Sequence, residues 1–165
     1  MPPRNVVLIG FMGAGKSEIG RALAARLSYE FVDTDSLVES AAARSIDEIF
    51  ATDGEKGFRA LEAEAVVRAC AGNRRVISCG GGAILQLRNY GILKGAGSIV
   101  YLRAPAGVLR ERVGAGTGRP LLADRAFERL LAERVPAYEA AADLVVDSDA
   151  GTPDEIAAEI EERLG

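Results

Sequence analysis

The first residues whose types and spacing could do chemistry lie near the amino terminus. Residues Gly10 to Ser17 read GFMGAGKS and match the pattern G-x-x-x-x-G-K-[ST] in full. Glycines at these positions let the backbone wrap around a phosphate group, and the positive end of a following helix adds to the attraction. Lys16 would reach the β- and γ-phosphates, and the Ser17 hydroxyl would bind Mg²⁺. The motif predicts a mononucleotide phosphate site, which hydrolysing NTPases, motors and small-molecule kinases share.

Two carboxylates, Asp33 and Asp35, come at the end of the next predicted strand. Ligands bind at the carboxyl ends of strands in open α/β sheets. Because side chains alternate along a strand, we expect both carboxylates on the same side. One would join the Mg²⁺ shell, and the other would orient or deprotonate an acceptor hydroxyl. The alternative for Asp35 is structural, as the amino-terminal cap of the following helix.

Arginines and glycines follow at spacings that suit an anionic acceptor. Arg59 lies near the start of a helix that follows Gly54, and Glu62 comes three residues later, close enough to pair with it. Gly80-Gly81-Gly82 comes directly after a predicted strand, and three consecutive glycines are useful where the backbone must approach a ligand closely. Arginine is the residue type that binds carboxylates and phosphates through two parallel hydrogen bonds.

A second group of arginines surrounds a glycine-rich stretch. Residues 114–118 read GAGTG, with Arg112 before them and Arg119-Pro-Leu-Leu after them. An arginine on a closing lid is suited to reach a phosphoryl group during transfer. Arg134 lies on the next predicted helix, four residues before Tyr138. A solvated helix face is the common explanation for any one such arginine, so their joint spacing around the phosphate motif is what indicates a site.

The composition narrows the chemistry further. The 165 residues carry a formal net charge of −4 and contain no histidine, which excludes Ser-His-Asp and Cys-His catalysis. The acidic balance argues against nucleic-acid and membrane-surface partners, and no apolar run approaches the roughly 18–20 residues of a membrane span. Cys70 and Cys79 lack the spacing of metal ligands. We therefore expect no zinc site and interpret both cysteines as packing residues in a reducing cytosol.

The elements that must position these residues alternate in type along the chain. Five apolar runs are predicted strands, at Asn5–Gly10, Glu30–Asp33, Arg75–Cys79, Ser98–Leu102 and Asp143–Asp147. Helices are predicted over 16–27, 35–52, 55–70 and 124–142, after Pro105, and from Thr152-Pro153 onwards. The alternation predicts one α/β domain over residues 1–165, a five-stranded parallel sheet covered by helices on both faces in three layers.

In this order, the motifs resemble the shikimate kinase family of small phosphate-loop kinases in aromatic amino-acid (chorismate) biosynthesis. The resemblance runs from about Asn5 to the end of the chain. It is carried by the phosphate loop, Asp33-x-Asp35, Gly54-Glu-x-x-Phe-Arg59, Gly80-Gly-Gly82, Arg119-Pro-Leu-Leu and Arg134-x-x-x-Tyr138. It implies the nucleoside-monophosphate-kinase fold, with a mobile lid at about 112–124 and a shikimate-binding region at about 34–62. The implied reaction is ATP-dependent phosphorylation of the shikimate 3-hydroxyl, giving shikimate 3-phosphate, with one Mg²⁺ per subunit.

The resemblance also implies roles for individual residues. Shikimate would be bound by Asp35, Arg59, Gly80, Gly81, Gly82 and Arg134, and the two arginines would hold its carboxylate. Asp35 would accept the proton of the 3-hydroxyl, while Lys16 and Arg119 would stabilise charge on the phosphoryl group in transfer. Ser17, with Asp33 through water, would hold Mg²⁺. The nucleotide would be bound by Gly13, Ala14, Gly15, Lys16, Ser17, Arg112, Arg119, Thr152 and Pro153.

One position departs from the family pattern, which usually has Thr directly after the loop serine, where this chain has Glu18. A carboxylate there suits the helix dipole but would repel an α-phosphate, so we expect Glu18 to turn outward to solvent. Two alternative functions stay open at this point. One is another small-molecule kinase, of the adenylate or, harder to exclude, the gluconate kind; the other is a non-catalytic nucleotide-binding module that acts as a switch. We expect a cytoplasmic monomer with ATP and shikimate as partners, and neither nucleic acid nor membrane.

Overall fold

Five strands in the order β2-β3-β1-β4-β5, each parallel to its neighbours, form the sheet of the computed structural model, which describes residues 2–116 and 124–165. The strands are β1 (Asn5–Ile9), β2 (Glu30–Asp33), β3 (Arg75–Ser78), β4 (Ser98–Arg103) and β5 (Leu144–Asp147). All of β1 is buried, as expected for the central strand of a parallel sheet with both faces covered. The predicted five-stranded parallel sheet is confirmed.

Helices cover both faces of the sheet, giving the three-layer α/β/α arrangement. The described residues form α1 (Lys16–Leu27), α2 (Thr34–Ala42), α3 (Ile46–Cys70), α4 (Leu87–Ala96), α5 (Ala106–Gly116), α6 (Asp124–Ala141) and α7 (Pro153–Leu164). Helix α1 packs against α7, and α3 packs against α4. None of the helices in the described ranges is both long enough and apolar enough to cross a membrane.

The helix predicted over 35–52 is wrong, because the chain turns between α2 and α3. Ala43 adopts a left-handed backbone with φ 53° at the end of α2, and the Ser45 hydroxyl caps α3 by accepting from the Glu48 N–H at 3.1 Å. The break predicted at Gly54 is confirmed, because this residue has the non-helical backbone angles φ 72° and ψ −175° and kinks α3 there. Apolar spacing continues across the turn at residues 43–45, so periodicity alone does not separate α2 from α3.

Helix α4 was missing from the predicted elements altogether. Its ten residues include Gly91 and Gly95, both poor helix formers, and only three of them are buried. A short 3-10 turn at Ala83–Leu85 precedes it and directly follows the three glycines. Packing against α3 rather than local sequence pattern stabilises this helix.

The register of the sheet brings three of the predicted motifs to one edge. Ser78 of β3 pairs with Leu8 of β1 on one side and with Asp33 of β2 on the other. All strands run the same way, so the segments that follow these residues leave the sheet side by side. The phosphate motif, the Asp33–Asp35 pair and the three glycines therefore begin from neighbouring points.

Candidate functional site

The phosphate motif forms a tight loop between β1 and α1. Gly13 and Gly15 have φ of 84° and 89°, a left-handed backbone that residues with a side chain rarely adopt. A Cβ at Gly13 would lie 2.8 Å from the Leu109 carbonyl oxygen, so α5 closes over this part of the loop. Gly15 is the amino-terminal cap of α1, whose unpaired N–H groups and positive dipole end face the loop. The local geometry is that of an anion-binding helix start.

The Lys16 side chain turns back into this loop. Its Nζ donates to the carbonyl oxygens of Gly10 at 2.7 Å and Phe11 at 3.0 Å. Burial lowers the pKa of Lys16 to about 8, partly offset by the nearby carboxylates of Asp35 and Asp33. The ammonium is thus held in a cradle of backbone carbonyls, at the place where phosphate oxygens would meet it.

Asp33 is fixed by both of its carboxylate oxygens. One accepts from the backbone N–H groups of Asp35 at 2.8 Å and Ser36 at 3.4 Å, which caps α2. The other accepts from the Ser17 hydroxyl at 3.3 Å. Both carboxylates line the same cleft, but strand alternation is not the reason, because β2 ends at Asp33 and α2 begins at Thr34. The capping role considered for Asp35 belongs to Asp33.

The paired oxygens of Ser17 and Asp33 fit the chemistry of a magnesium site. Within residues 2–116 and 124–165, no group of three or more His, Cys, Asp or Glu side chains could hold a metal by itself. Mg²⁺ usually keeps several waters and takes only one or two protein oxygens together with substrate phosphates. A hydroxyl and a carboxylate beside a phosphate-binding loop are such a donor set.

A cleft of about 680 Å³ opens over the loop. It brings Lys16, Ser17, Asp33 and Asp35 together with more distant residues. Its remaining lining is contributed by Met12, Gly13, Gly15, Glu18, Ile19, Ser78, Cys79, Arg112, Val113, Ser148, Gly151 and Pro153. Its volume lies in the range of pockets that take small molecules.

Arg112 connects the phosphate loop with the segment between β5 and α7. Its guanidinium donates to the Gly13 carbonyl at 3.1 Å and to the Ser148 hydroxyl and carbonyl, each at 3.3 Å. Pro153 lines the same cleft, whereas the Thr152 hydroxyl caps α7 by accepting from the Glu155 N–H at 3.2 Å. Arg112 and Pro153 therefore lie at the cleft, whereas the Thr152 side chain serves to cap α7.

Each of the three consecutive glycines makes room for a different polar side chain. A Cβ at Gly80 would lie 2.8 Å from Asp35 Oδ1, and one at Gly81 would lie 3.2 Å from Arg134 Nη1. A Cβ at Gly82 would lie 2.6 Å from Arg59 Nη2. The three acceptor-binding side chains predicted from the sequence, Asp35, Arg59 and Arg134, therefore meet along this one glycine segment.

Arg59 is held by a buried carboxylate. Its Nη1 donates to Glu62 Oε1 at 2.7 Å, and the Glu62 side chain is 1% exposed. Burial raises the pKa of Glu62 above its ordinary value, against the opposing effect of Arg59. The pairing predicted from their three-residue spacing is confirmed.

Arg134 and Tyr138 approach the glycine segment from α6. The Tyr138 hydroxyl donates to the Gly81 carbonyl at 2.6 Å, and burial raises its pKa to about 12. The Arg134 guanidinium lies 5.6 Å from the centre of the Phe11 ring. The Nε atoms of Arg59 and Arg134 are buried and make no hydrogen bond among the described residues, although Arg59 Nε lies 3.7 Å from Glu55 Oε1.

Two residues of the site, Thr34 and Ser148, could not be predicted from the sequence. No sequence motif includes them, and their hydrogen bonds to Gly80 and Arg112 are seen only in the folded structure. Glu18 lies in the first turn of α1 and is exposed, but it also lines the cleft, so its turning away from the nucleotide stays a prediction. Arg119 and residues 117–123 of the lid predicted at about 112–124 lie outside the described residues.

Comparison with known proteins gives a consistent set of relatives. The protein-family model described as "Shikimate kinase" matches residues 12–165 of this chain. A shikimate kinase of Symbiobacterium thermophilum is 44% identical over 166 residues, which cover 97% of this chain and 95% of the relative. A solved shikimate kinase of Acinetobacter baumannii, in complex with shikimate, superposes with a TM-score of 0.92 at 34% identity, covering 98% of this chain and 92% of that chain. A gluconokinase of Sinorhizobium meliloti, at 22% identity and a TM-score of 0.62 over 98% of this chain and 91% of that one, shares the fold alone.

Proposed function

This chain belongs to the shikimate kinase family, and from that membership we propose that it transfers the γ-phosphoryl group of ATP to the 3-hydroxyl of shikimate. The observation that carries the proposal is the meeting of Asp35, Arg59 and Arg134 along Gly80, Gly81 and Gly82. Two arginines and one carboxylate beside the glycine segment suit a small acceptor that bears one carboxylate and several hydroxyls.

On the acceptor side, the arginines bind and the aspartate takes part in the chemistry. Arg59 and Arg134 hold the shikimate carboxylate through their guanidinium groups, which face Gly82 and Gly81. Asp35 binds ring hydroxyls and accepts the proton of the 3-hydroxyl as that oxygen attacks the γ-phosphorus. The bond from the γ-phosphorus to the bridging oxygen of ADP breaks, and ADP leaves with the electron pair.

On the nucleotide side, the protein positions the phosphates and neutralises their charge. The backbone from Gly13 to Ser17 binds the phosphates, and Lys16 leaves its carbonyl cradle to follow the charge on the γ-phosphoryl group. Arg112 and Pro153 lie beside the nucleotide base, and the Thr152 backbone belongs to the same turn. Arg119, on a lid over about 112–124, would add a second positive charge as the lid closes and excludes water.

A magnesium ion is part of the proposal. Ser17 would bind it directly and Asp33 through water, consistent with the 3.3 Å contact between their oxygens. The ion, one per subunit, would neutralise charge on the β- and γ-phosphates. The proton at the acceptor hydroxyl remains the task of Asp35.

The organisation of the chain follows from the same assignment. We take residues 1–165 as one kinase domain, in which about 34–62 form the shikimate-binding region, and the protein as a cytoplasmic monomer. The thiols of Cys70 and Cys79 are both buried and unpaired, as a reducing compartment favours. Burial raises the pKa of the Cys70 thiol to about 11 and raises that of Cys79 as well, so both behave as packing residues.

The test is an ADP-release assay with a panel of acceptors. Purified protein, MgATP and one acceptor are coupled to ADP detection, with shikimate, gluconate and AMP in parallel. We expect turnover with shikimate and none above the ATPase background with the other two. Turnover with gluconate and not with shikimate would contradict the proposal, and nucleotide binding without turnover on any acceptor would favour a non-catalytic module.

A further inference from the structure

Thr34 lies in the sequence between Asp33 and Asp35. It is assigned to neither the nucleotide nor the acceptor. It is the first residue of α2, and its side chain is completely buried. A buried hydroxyl needs a hydrogen-bond partner. Thr34 finds one 46 residues away, because its Oγ1 accepts from the Gly80 N–H at 3.1 Å.

This bond extends the link between β2 and β3 beyond the end of the sheet. The last backbone pair of these strands is Asp33 with Ser78. Past that pair the chain on one side becomes α2, and on the other it becomes the glycine segment, so their backbones no longer pair. The Thr34 hydroxyl bonds to Gly80 two residues beyond Ser78, and it thereby ties the turn that carries Asp35 to the first of the three glycines.

The spacing at this point is tight. The position of a Gly80 Cβ lies only 2.8 Å from Asp35 Oδ1 and 3.1 Å from Glu62 Oε2. A small displacement of the Gly80 peptide would therefore change the distance between Asp35 and the segment that also faces Arg59 and Arg134. Tyr138 holds the next peptide by donating to the Gly81 carbonyl, so Thr34 and Tyr138 fix neighbouring peptides from two different elements.

We propose that Thr34 is a positioning residue, whose hydroxyl holds the Gly80 peptide and so sets the place of the acceptor relative to Asp35. The proposal rests on the proposed function, because it assigns the same acceptor pocket. Thr34 acts through Gly80 and touches neither substrate. The nucleotide side is fixed by other bonds, those of Lys16 to its loop and of Asp33 to α2 and Ser17.

Two substitutions separate the hydroxyl from the methyl group of Thr34. Thr34→Val keeps the branched shape and removes the acceptor oxygen, whereas Thr34→Ser keeps the oxygen and removes the methyl group. For Thr34→Val we expect kcat/KM for shikimate to fall about tenfold or more, while the Kd for ADP stays within about twofold of the wild type. For Thr34→Ser we expect kcat/KM within about threefold of the wild type, even if its melting temperature falls because of the lost methyl packing.

The outcomes distinguish this inference from the proposed function. Wild-type kinetics in Thr34→Val, an equal loss in Thr34→Ser, or a parallel loss of ADP binding would each overturn the positioning role. Absence of shikimate turnover in the wild type would contradict the proposed function and overturn the Thr34 role with it. Normal wild-type turnover with an unaffected Thr34→Val would overturn the Thr34 role alone.

Discussion

Arg59 and Glu62 lie one helical turn apart on α3, and the guanidinium of the first donates to the buried carboxylate of the second at 2.7 Å. The same guanidinium faces Gly82, where a Cβ would come within 2.6 Å of Nη2. Glu62 therefore fixes the Arg59 guanidinium through a hydrogen bond. Gly82, which has no side chain, leaves the space that this guanidinium occupies. A methyl group added at Gly82 would therefore displace Arg59, whereas one added at Gly91 would contact nothing within 4 Å.

Gly82→Ala tests whether the glycine segment is built around Arg59. Gly82 has φ −99°, which alanine adopts without strain, so the added methyl group acts by displacing the Arg59 guanidinium. We expect KM for shikimate to rise about tenfold and KM for ATP to stay within about twofold in steady-state kinetics.

The matched control is Gly91→Ala on α4, where a Cβ would have nothing within 4 Å. It should leave both KM values unchanged and raise the melting temperature slightly, since alanine favours a helix over glycine by about 1 kcal/mol. An unchanged KM for shikimate in Gly82→Ala would show that Arg59 does not bind the acceptor from this position.

Glu62→Gln tests whether the buried Glu62 carboxyl makes the free energy of unfolding depend on pH. Because the folded-state pKa of Glu62 is raised above 4.5, the folded protein binds this proton more readily than the unfolded chain. The contribution of Glu62 to stability is therefore fully present below about pH 4.5 and is lost as pH rises through the raised pKa. The free energy of unfolding of the wild type, minus that of Glu62→Gln, should fall as pH rises above 4.5 in urea titrations.

Glu64→Gln, on the exposed side of the same helix, is the control for replacing a glutamate of α3 by glutamine. A wild-type advantage over Glu62→Gln that grows with rising pH would have the wrong sign for a carboxylate whose pKa is raised by burial.

Arg134→Ala separates acceptor binding from nucleotide binding. Removal of a charged donor to the shikimate carboxylate should raise KM for shikimate about 10- to 100-fold, from about 1.5–3 kcal/mol for a hydrogen bond to a charged group. KM for ATP should remain near the wild-type value. Arg129→Ala, an exposed arginine on the same helix, should change neither. Equal losses for both substrates would place Arg134 outside the acceptor pocket.

Glu18→Thr tests the departure from the family pattern. The Glu18 side chain lines the cleft but is exposed, so water and salt screen its charge from a bound phosphate. We expect KM for ATP within about twofold of the wild type at physiological ionic strength. A markedly lower KM in Glu18→Thr, matched by Glu18→Gln, would show that the carboxylate repels the nucleotide.

The phosphate loop could be predicted from sequence because its chemistry is local. Glycines at fixed spacing, a lysine and a hydroxyl between a strand and a helix are sufficient to define it, and α1 begins and ends where its periodicity predicts. The pairing of Arg59 with Glu62 is local in the same sense, since helix geometry alone places them together.

Other features depend on contacts between distant segments. Asp33 rather than Asp35 caps α2 because that helix begins at Thr34, one residue earlier than predicted. The Thr34–Gly80 and Arg112–Ser148 hydrogen bonds join segments 46 and 36 residues apart, and no local pattern marks them. Helix α4 depends on tertiary packing, so its glycine-containing sequence gave no signal.

The most direct test of the account is the position of the new phosphate group, together with the rate at which Asp35→Asn makes it. Protein in excess is mixed with MgATP and shikimate, and the product is examined by phosphorus and proton NMR. We predict a single product phosphorylated on the 3-hydroxyl, formed about 10²- to 10⁴-fold more slowly by Asp35→Asn, as expected for loss of a general base. Phosphate on another hydroxyl, or a rate for Asp35→Asn equal to that of the wild type, would contradict it.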